Sequence, residues 1–261
     1  MKVKPKKALG QHFLNDEHIA AEIAATVAAT NLPSGHPEWG EMPVVEVGPG
    51  MGVLSKYLVE TGREVTAVEL DSESVRYLAR EYPRLRVVEG DFLRLDLREV
   101  CDRPFALIGN YPYNISTQIF FKVLENMELI PVVAGMLQKE VAQRICSAPG
   151  SKVYGILSVL LQAWYDCEYL FDVGPHVFTP PPKVTSGVLR LTRNSRTELG
   201  CDPALFRRVV KTAFGQRRKT LRNSLAPMMR PGCAALSSPL MKERPERLSV
   251  EDFIELTRQL Q

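Results

Sequence analysis

Asn110-Tyr111-Pro112-Tyr113 brings three useful groups to one point. The asparagine amide has an acceptor and two donors. Proline fixes φ and removes a backbone donor, so the segment is stiff. Tyrosine offers a flat apolar face. A planar ring bearing an amine, such as adenine, can be held by all three at once. The preceding run Phe105-Ala106-Leu107-Ile108 reads as a strand that stops at Gly109. Alone, the tetrapeptide reads equally as an ordinary turn, because asparagine and proline are common turn formers.

Three further groups precede it. Glu46-Val47-Gly48-Pro49-Gly50-Met51-Gly52 sits where an apolar strand meets a helix, and its glycines let backbone approach a ligand closely. Glu69 ends the next strand, 19 positions after Gly50, where a carboxylate can accept hydrogen bonds from ribose hydroxyls. Asp91 and Phe92 follow the third strand and suit an adenine amine and an adenine face. A dinucleotide would require a third glycine where Val53 stands, and Pro49 removes an N–H that pyrophosphate would use. The pattern therefore favours S-adenosylmethionine, which has ribose and adenine but no phosphate.

Methyl transfer from a sulfonium to an exocyclic adenine nitrogen is an in-line displacement. The nitrogen lone pair is delocalised into the ring. Hydrogen bonds from the amine to the Asn110 side-chain oxygen and to a carbonyl near Tyr111-Pro112 would make it more pyramidal and aim it. That is positioning and electrostatic preorganisation, not base catalysis. Tyr113 can stack on the target ring. Phe178, in the proline-stiffened stretch Phe178-Thr179-Pro180-Pro181-Pro182-Lys183-Val184, is either a second wall for the base or a hydrophobic plug. No metal cluster is needed. His18, His36 and His176 read as structural or exposed, and only His12 lies in a suggestive motif.

Short apolar strands alternating with helices must carry these groups: 44–47, 64–68, 85–88, 105–108 and 132–137 as strands, with helices 53–61, 72–82 and 116–125 between them. This rhythm predicts a doubly wound, Rossmann-like α/β sheet. A basic irregular arm over residues 1–15 precedes a helix reaching about Thr30, capped by Asn15 or Asp16. Residues 31–43, rich in proline and glycine, read as a loop. Helices follow over 139–146 and 154–164, then strands 168–173 and 184–191 as an antiparallel pair at the sheet edge. Beyond 194 there is no strand signal, and Phe206, Val209, Val210 and Phe214 recur at helical spacing. The expected domains are 1–193, an α/β methyltransferase domain with its arm, and 194–261, a small all-helical RNA-binding domain.

The 261 residues are 45 % hydrophobic and 24 % charged, as in an ordinary globular protein. No apolar stretch approaches membrane-spanning length, and no apolar signal region follows the basic start. The five cysteines are unpatterned, which favours reduced thiols and a cytoplasmic location. Net charge is only +3, but Arg207, Arg208, Lys211, Arg217, Arg218, Lys219 and Arg222 run without an intervening acid. Such clustering suits a phosphate-rich partner; otherwise it is a solvated helix face.

Together these residues resemble the ribosomal RNA adenine N6,N6-dimethyltransferases, over nearly the whole chain. Gly10-Gln11-His12-Phe13-Leu14-Asn15 is similar to the family's amino-terminal cofactor motif. Glu46 to Gly52, Glu69-Leu70-Asp71, Gly90-Asp91-Phe92 and Asn110 to Ser116 follow in order, as do Leu137 to Glu140 and Phe178 to Ser186. Phe214 to Leu225 resembles the carboxy-terminal signature. The resemblance implies transfer of two methyl groups to each of two adjacent adenosines near the 3′ end of small-subunit rRNA, and a role in small-subunit biogenesis. It implies S-adenosylmethionine contacts at Gln11, His12, Leu14, Gly48, Gly50, Glu69, Leu70, Asp91, Phe92 and Asn110. Asn110, Tyr113 and Phe178 would hold the target base, and Arg217, Arg218, Lys219 and Arg222 the rRNA. The expected partner is the immature small subunit, and the protein is expected to be a monomer. Tyr111 replaces a leucine common in the family, a change expected to narrow or re-aim the pocket; His12 stands where asparagine is also common. Rival readings are a large-subunit adenine dimethyltransferase of the macrolide-resistance type and an assembly factor with secondary methylation. A nicotinamide-dependent oxidoreductase is disfavoured by Pro49 and Val53.

Overall fold

The computed structural model describes residues 3–6, 9–28 and 36–261. The chain divides into two compact units, Met1–Ala142 with Glu168–Thr192, and Gln143–Cys167 with Arg193–Gln261.

The first unit is built on parallel strands β2 (Val44–Val47), β3 (Val65–Glu69), β4 (Arg86–Glu89), β5 (Ala106–Asn110) and β6 (Val132–Gln138). β2 and β3 are buried along their whole lengths, and β5 as far as Gly109, as expected of strands in the middle of a parallel sheet. Strand β9 (Ser186–Arg193) pairs antiparallel with β6, and β7 (Tyr165–Val173) lies outside it, giving the order β4-β3-β2-β5-β6-β9-β7. Strand order reverses between β2 and β5, and both are parallel to each other. A ligand crevice is expected outside the carboxyl ends of strands at such a switch point. The α/β Rossmann-like class expected from the sequence is the one observed.

Helix α1 (Glu17–Ala25) is capped by Asp16, whose side chain accepts from the Ile19 N–H at 3.0 Å. It ends before Thr30, which lies outside the described residues, as do Lys2, Lys7 and positions 31–35 of the expected loop. Helix α2 (Ser55–Glu60) starts two residues later than its apolar pattern suggests. Helix α3 (Ser72–Glu81) is capped by Asp71. A short helix, α4 (Leu97–Val100), was not expected; Asp96 caps it by accepting from the Arg98 N–H at 2.9 Å. Helix α5 (Ser116–Glu125) follows the Asn110–Tyr113 segment, and α6 (Lys139–Ile145) follows β6. Two departures matter for the site. β5 runs on through Gly109 to Asn110, and the otherwise irregular arm carries one short strand, β1 (Phe13–Leu14), that pairs antiparallel with β8 (Phe178–Thr179).

The second unit contains α7 (Ile156–Gln162), α8 (Pro203–Gly215), α9 (Leu221–Ser224) and α10 (Val250–Leu260). Residues 143–167 group with these C-terminal helices, so the unit takes in more than 194–261. The physical reason is apolar: α7 buries Leu157, Val159, Leu160 and Leu161 and packs against α8 and α10. Tyr154, Phe214 and Phe253 form a chain of aromatic contacts with ring centroids 6.2 and 5.9 Å apart.

Candidate active site

A cavity of about 590 Å³ opens at the switch point, a volume within the range of small-molecule sites. Its walls come mainly from the arm at Leu9–Asn15, the turn after β2, Glu69-Leu70, Gly90–Leu93 and Asn110–Ile115, with Glu17, Tyr77 and Tyr82 added from α1 and from around α3. It thus gathers every candidate cofactor residue read from the sequence, together with Asn110 and Tyr113.

Glu69 is buried and does two jobs at once. Its carboxylate accepts from the Gly50 N–H at 2.9 Å and from the Asp71 N–H at 2.9 Å. It therefore fixes the glycine turn as well as facing the cavity, and each oxygen keeps a lone pair for a further donor. Burial raises its pKa against those backbone hydrogen bonds. Gly50 has φ +58°, and a Cβ there would lie 2.9 Å from the Phe13 ring, so the turn and the arm meet only because this residue is glycine. Leu70 is 52 % exposed, an apolar face presented at the cavity wall. The Asp91 carboxylate accepts from the Leu93 N–H at 3.0 Å.

Glu46 was not singled out as a site residue, although it heads the glycine motif. It lines the cavity, is fully buried, and accepts from the Ser55 hydroxyl at 2.5 Å. Burial pushes its pKa up to about 7. A buried acid at a strand end beside a glycine turn is the signal that could have found it.

The described part of the arm is tied down at several points. Lys6 Nζ pairs with the Asp71 carboxylate at 2.5 Å, and the Lys6 N–H donates to the Gln11 side-chain oxygen at 2.8 Å. Gln11 thus braces the arm from within. Leu14 sits opposite Phe178 in the β1–β8 pair. His12 Nδ1 lies 2.7 Å from the Pro180 carbonyl oxygen; a carbonyl only accepts, so Nδ1 carries the proton. Asn110 Nδ2 donates to the His12 carbonyl at 3.0 Å.

The Tyr113 ring stacks against His12 with centroids 5.5 Å apart, and its hydroxyl bonds Ser186 Oγ at 2.5 Å. Tyr111 departs from expectation. It is among the residues that line the cavity, but its ring packs into the core, where it is 0 % exposed. Its N–H donates to the Met136 carbonyl and its hydroxyl to the Ala134 carbonyl, both at 2.8 Å. The paired glycines Gly109 and Gly135 make the room: their Cβ atoms would lie 3.2 and 2.9 Å from that ring. Tyr111 therefore bolts the segment to β6 rather than narrowing the pocket with its side chain. Phe178 is only 3 % exposed and belongs to the core cluster, outside the cavity lining.

The basic run begins inside α8 with Arg207, Arg208 and Lys211 and continues beyond it to Arg222 at the start of α9, in the second unit. Arg218 and Lys219 are exposed. Arg217 donates to the Ser151 carbonyl at 3.4 Å and Arg222 to the Leu236 carbonyl at 3.1 Å.

A family model described as ribosomal RNA adenine dimethylase matches residues 2–261. The chain belongs to this family. It is 57 % identical to the Ribosomal RNA small subunit methyltransferase A of Bacteroides thetaiotaomicron, over 99 % of this chain and 95 % of that protein. It is 52 % identical to the protein of the same name from Cytophaga hutchinsonii, over 99 % and 98 %. A dimethyladenosine transferase from Plasmodium falciparum shares the fold, with a TM-score of 0.73 at 22 % identity over 94 % of this chain and 96 % of that one. The 23S rRNA methyltransferase ErmE gives 0.65 at 26 % identity, over 94 % and 99 %. The dimethylase is accordingly an S-adenosylmethionine-dependent rRNA adenine N6,N6-dimethyltransferase. The cavity suits that cofactor: Glu17, Glu46, Glu69 and Asp91 line it, and no lysine or arginine among the described residues does. Such a wall favours a cationic sulfonium and disfavours a pyrophosphate. Among the described residues no cluster of metal-ligand side chains occurs, and no helix is long and apolar enough to cross a membrane.

Proposed function

We propose that this dimethylase modifies small-subunit rRNA, adding two methyl groups to N6 of each of two adjacent adenosines near the 3′ end, in the cytoplasm and late in small-subunit assembly. The similarity to relatives named for the small subunit, at 52 to 58 % identity over nearly the whole chain, carries this choice of substrate over the large-subunit reading. The protein acts as a monomer on the immature subunit.

The cofactor supplies an electrophilic methyl group on a sulfonium. In this reading Glu69 receives the ribose hydroxyls, Asp91 the adenine amine, and Leu70 with Phe92 the adenine ring. Gly48 and Gly50 let the backbone close on the ligand, while Gln11, His12 and Leu14 hold the arm over it. Asn110 does the work at the target nitrogen. Its Nδ2 is engaged by His12, so its oxygen is the atom left for an incoming amine. Accepting one N6–H would localise the lone pair and turn it toward the methyl group that the cofactor would supply. With the cofactor bound, its sulfonium would give up the methyl group to this nitrogen and leave as a neutral thioether, and the extra proton on nitrogen would pass to solvent. Tyr113 stacks on the base. Phe178 becomes a second wall only if its ring turns out of the core when the base enters. Arg217, Arg218, Lys219 and Arg222 hold the rRNA backbone.

The decisive experiment transfers labelled methyl groups from S-adenosylmethionine to immature small subunits and to large subunits, followed by mapping of the modified positions. Dimethylated adenosines confined to the small subunit are expected. Label on a single large-subunit adenosine overturns the reading, and tight subunit binding without label favours a pure assembly factor.

A further inference from the structure

Asp91 and Phe92 lie at the start of a stretch, residues 91–96, that links β4 to α4. Its own turn is closed by the Arg94 and Leu95 N–H groups donating to the Asp91 carbonyl at 2.9 and 3.1 Å. An additional tether comes from outside it. Lys122, on the face of α5 turned toward this stretch, donates from Nζ to the Leu93 carbonyl at 3.0 Å and to the Leu95 carbonyl at 2.6 Å. The same ammonium stands 5.7 Å from the centroid of the Phe92 ring, within cation–π reach. Lys122 is half-buried, and burial lowers its pKa, while Glu125, Asp91 and Asp96 act to raise it. A partly desolvated ammonium placed on two carbonyls and one ring is a specific tether, because charge-assisted hydrogen bonds are the strong ones.

The other end of the helix touches the amine clamp. Ser116, the first residue of α5, donates from Oγ to the Tyr113 carbonyl at 3.3 Å. One rigid helix thus contacts both halves of the site.

We infer that Lys122 is a positioning residue for the adenosine end of the cofactor, holding Asp91 and Phe92 in register with the Asn110–Tyr113 clamp. This rests on the reading that Asp91 and Phe92 receive adenine. Removing the ammonium leaves two carbonyls without their donor and frees the 91–96 stretch to move. The cost should fall on any ligand that contains adenosine, whatever its sulfur substituent.

The test measures calorimetric dissociation constants for S-adenosylhomocysteine and 5′-methylthioadenosine with Lys122→Met, Lys122→Arg, Asp91→Ala and the parent. Lys122→Met is expected to weaken both ligands equally, by about 10-fold, the loss of roughly one charged hydrogen bond. Lys122→Arg, which can still reach two carbonyls, should recover most of it. Amide exchange at Arg94 and Leu95 should quicken in Lys122→Met while exchange in the central strands stays slow. Three results overturn the inference: affinity unchanged in Lys122→Met, exchange quickened across the whole sheet, or a loss in Lys122→Arg as large as in Lys122→Met. If Asp91→Ala weakens both ligands and Lys122→Met does not, only the role of Lys122 falls. If Asp91→Ala itself leaves both affinities unchanged, the adenine placement falls and the inference with it.

Discussion

The side-chain nitrogen of Asn110 faces the main-chain carbonyl oxygen of His12 at 3.0 Å. Because a carbonyl oxygen cannot donate, this contact sets the orientation of the amide and leaves the Asn110 oxygen as the side-chain acceptor. It also couples the arm to the clamp. Asn110→Ala should lower single-turnover methyl transfer by about 100-fold while leaving subunit affinity within about 3-fold. Asn110→Asp keeps an acceptor but loses the donor to His12, so it should both slow transfer and weaken cofactor binding. Quench-flow transfer assays beside filter binding separate the two effects. Equal losses in rate and in subunit affinity for Asn110→Ala would refute the amine-positioning role.

Tyr111 and Gly135 form a dependent pair. A Cβ on Gly135 would lie 2.9 Å from the Tyr111 ring and 2.2 Å from the Gly109 carbonyl oxygen. Gly135→Ala is expected to destabilise by about 3 kcal/mol, the upper end of overpacking costs. Tyr111→Leu in that background should recover only the ring clash, because the carbonyl clash remains. Tyr111→Phe, losing only the hydroxyl donor to Ala134, should cost about 1 kcal/mol. Urea denaturation of the four proteins checks the order. A Gly135→Ala protein as stable as the parent contradicts the packing account.

Glu46 gives a pH signature. Its carboxyl titrates near 4.5 when unfolded and is pushed up to about 7 by burial when folded. Between those values the folded state holds more protons than the unfolded state, so this group's contribution to stability is full below pH 4.5. It is lost as pH rises through 7. The expected loss is on the order of 3 kcal/mol. Glu69, also raised by burial, acts in the same direction. The difference in stability between parent and Glu46→Gln should therefore shift in favour of the variant from pH 5 to pH 8. A difference that is flat across this range, measured by denaturant titration, contradicts the assignment.

Within the basic segment, side-chain hydrogen bonding separates two pairs. Arg218 and Lys219 are exposed. Arg217 and Arg222 each already donate to a carbonyl of their own unit. Replacing Arg218 and Lys219 with Ala should weaken rRNA binding and make the slope of log K against log salt shallower by roughly 1.5. Replacing Arg217 and Arg222 should change that slope less. Salt titrations of rRNA binding decide it; identical slopes in all variants would make the segment a solvated face.

Much of the first unit was legible because its signals are local. Short apolar runs ending in Gly, Glu or Asp mark buried parallel strands and their ligand-facing ends, and β2, β3 and β5 lie where those runs stand. The boundary errors are local too: α4 has only four residues, too few for periodicity to show, and only its Asp96 cap marks it. The missed pairing of β1 with β8 has a different cause. Each strand has two residues, and they lie some 165 positions apart, so no pattern along the chain announces it.

The sequence by itself determined which chemical groups line the crevice and in what order, since the glycine turn, Glu69, Asp91 and Asn110 each follow a strand whose pattern is self-evident. Only the tertiary structure decided what those groups face. Tyr111 turned into the core because the register of β5 on β6 sets Gly109 beside Gly135 and opens space for its ring. Phe178 went to the core cluster, Lys122 reached the Leu93 and Leu95 carbonyls, and Asn110 turned its nitrogen to His12. Side-chain direction is set by the partner that burial supplies, and those partners come from segments distant in the chain.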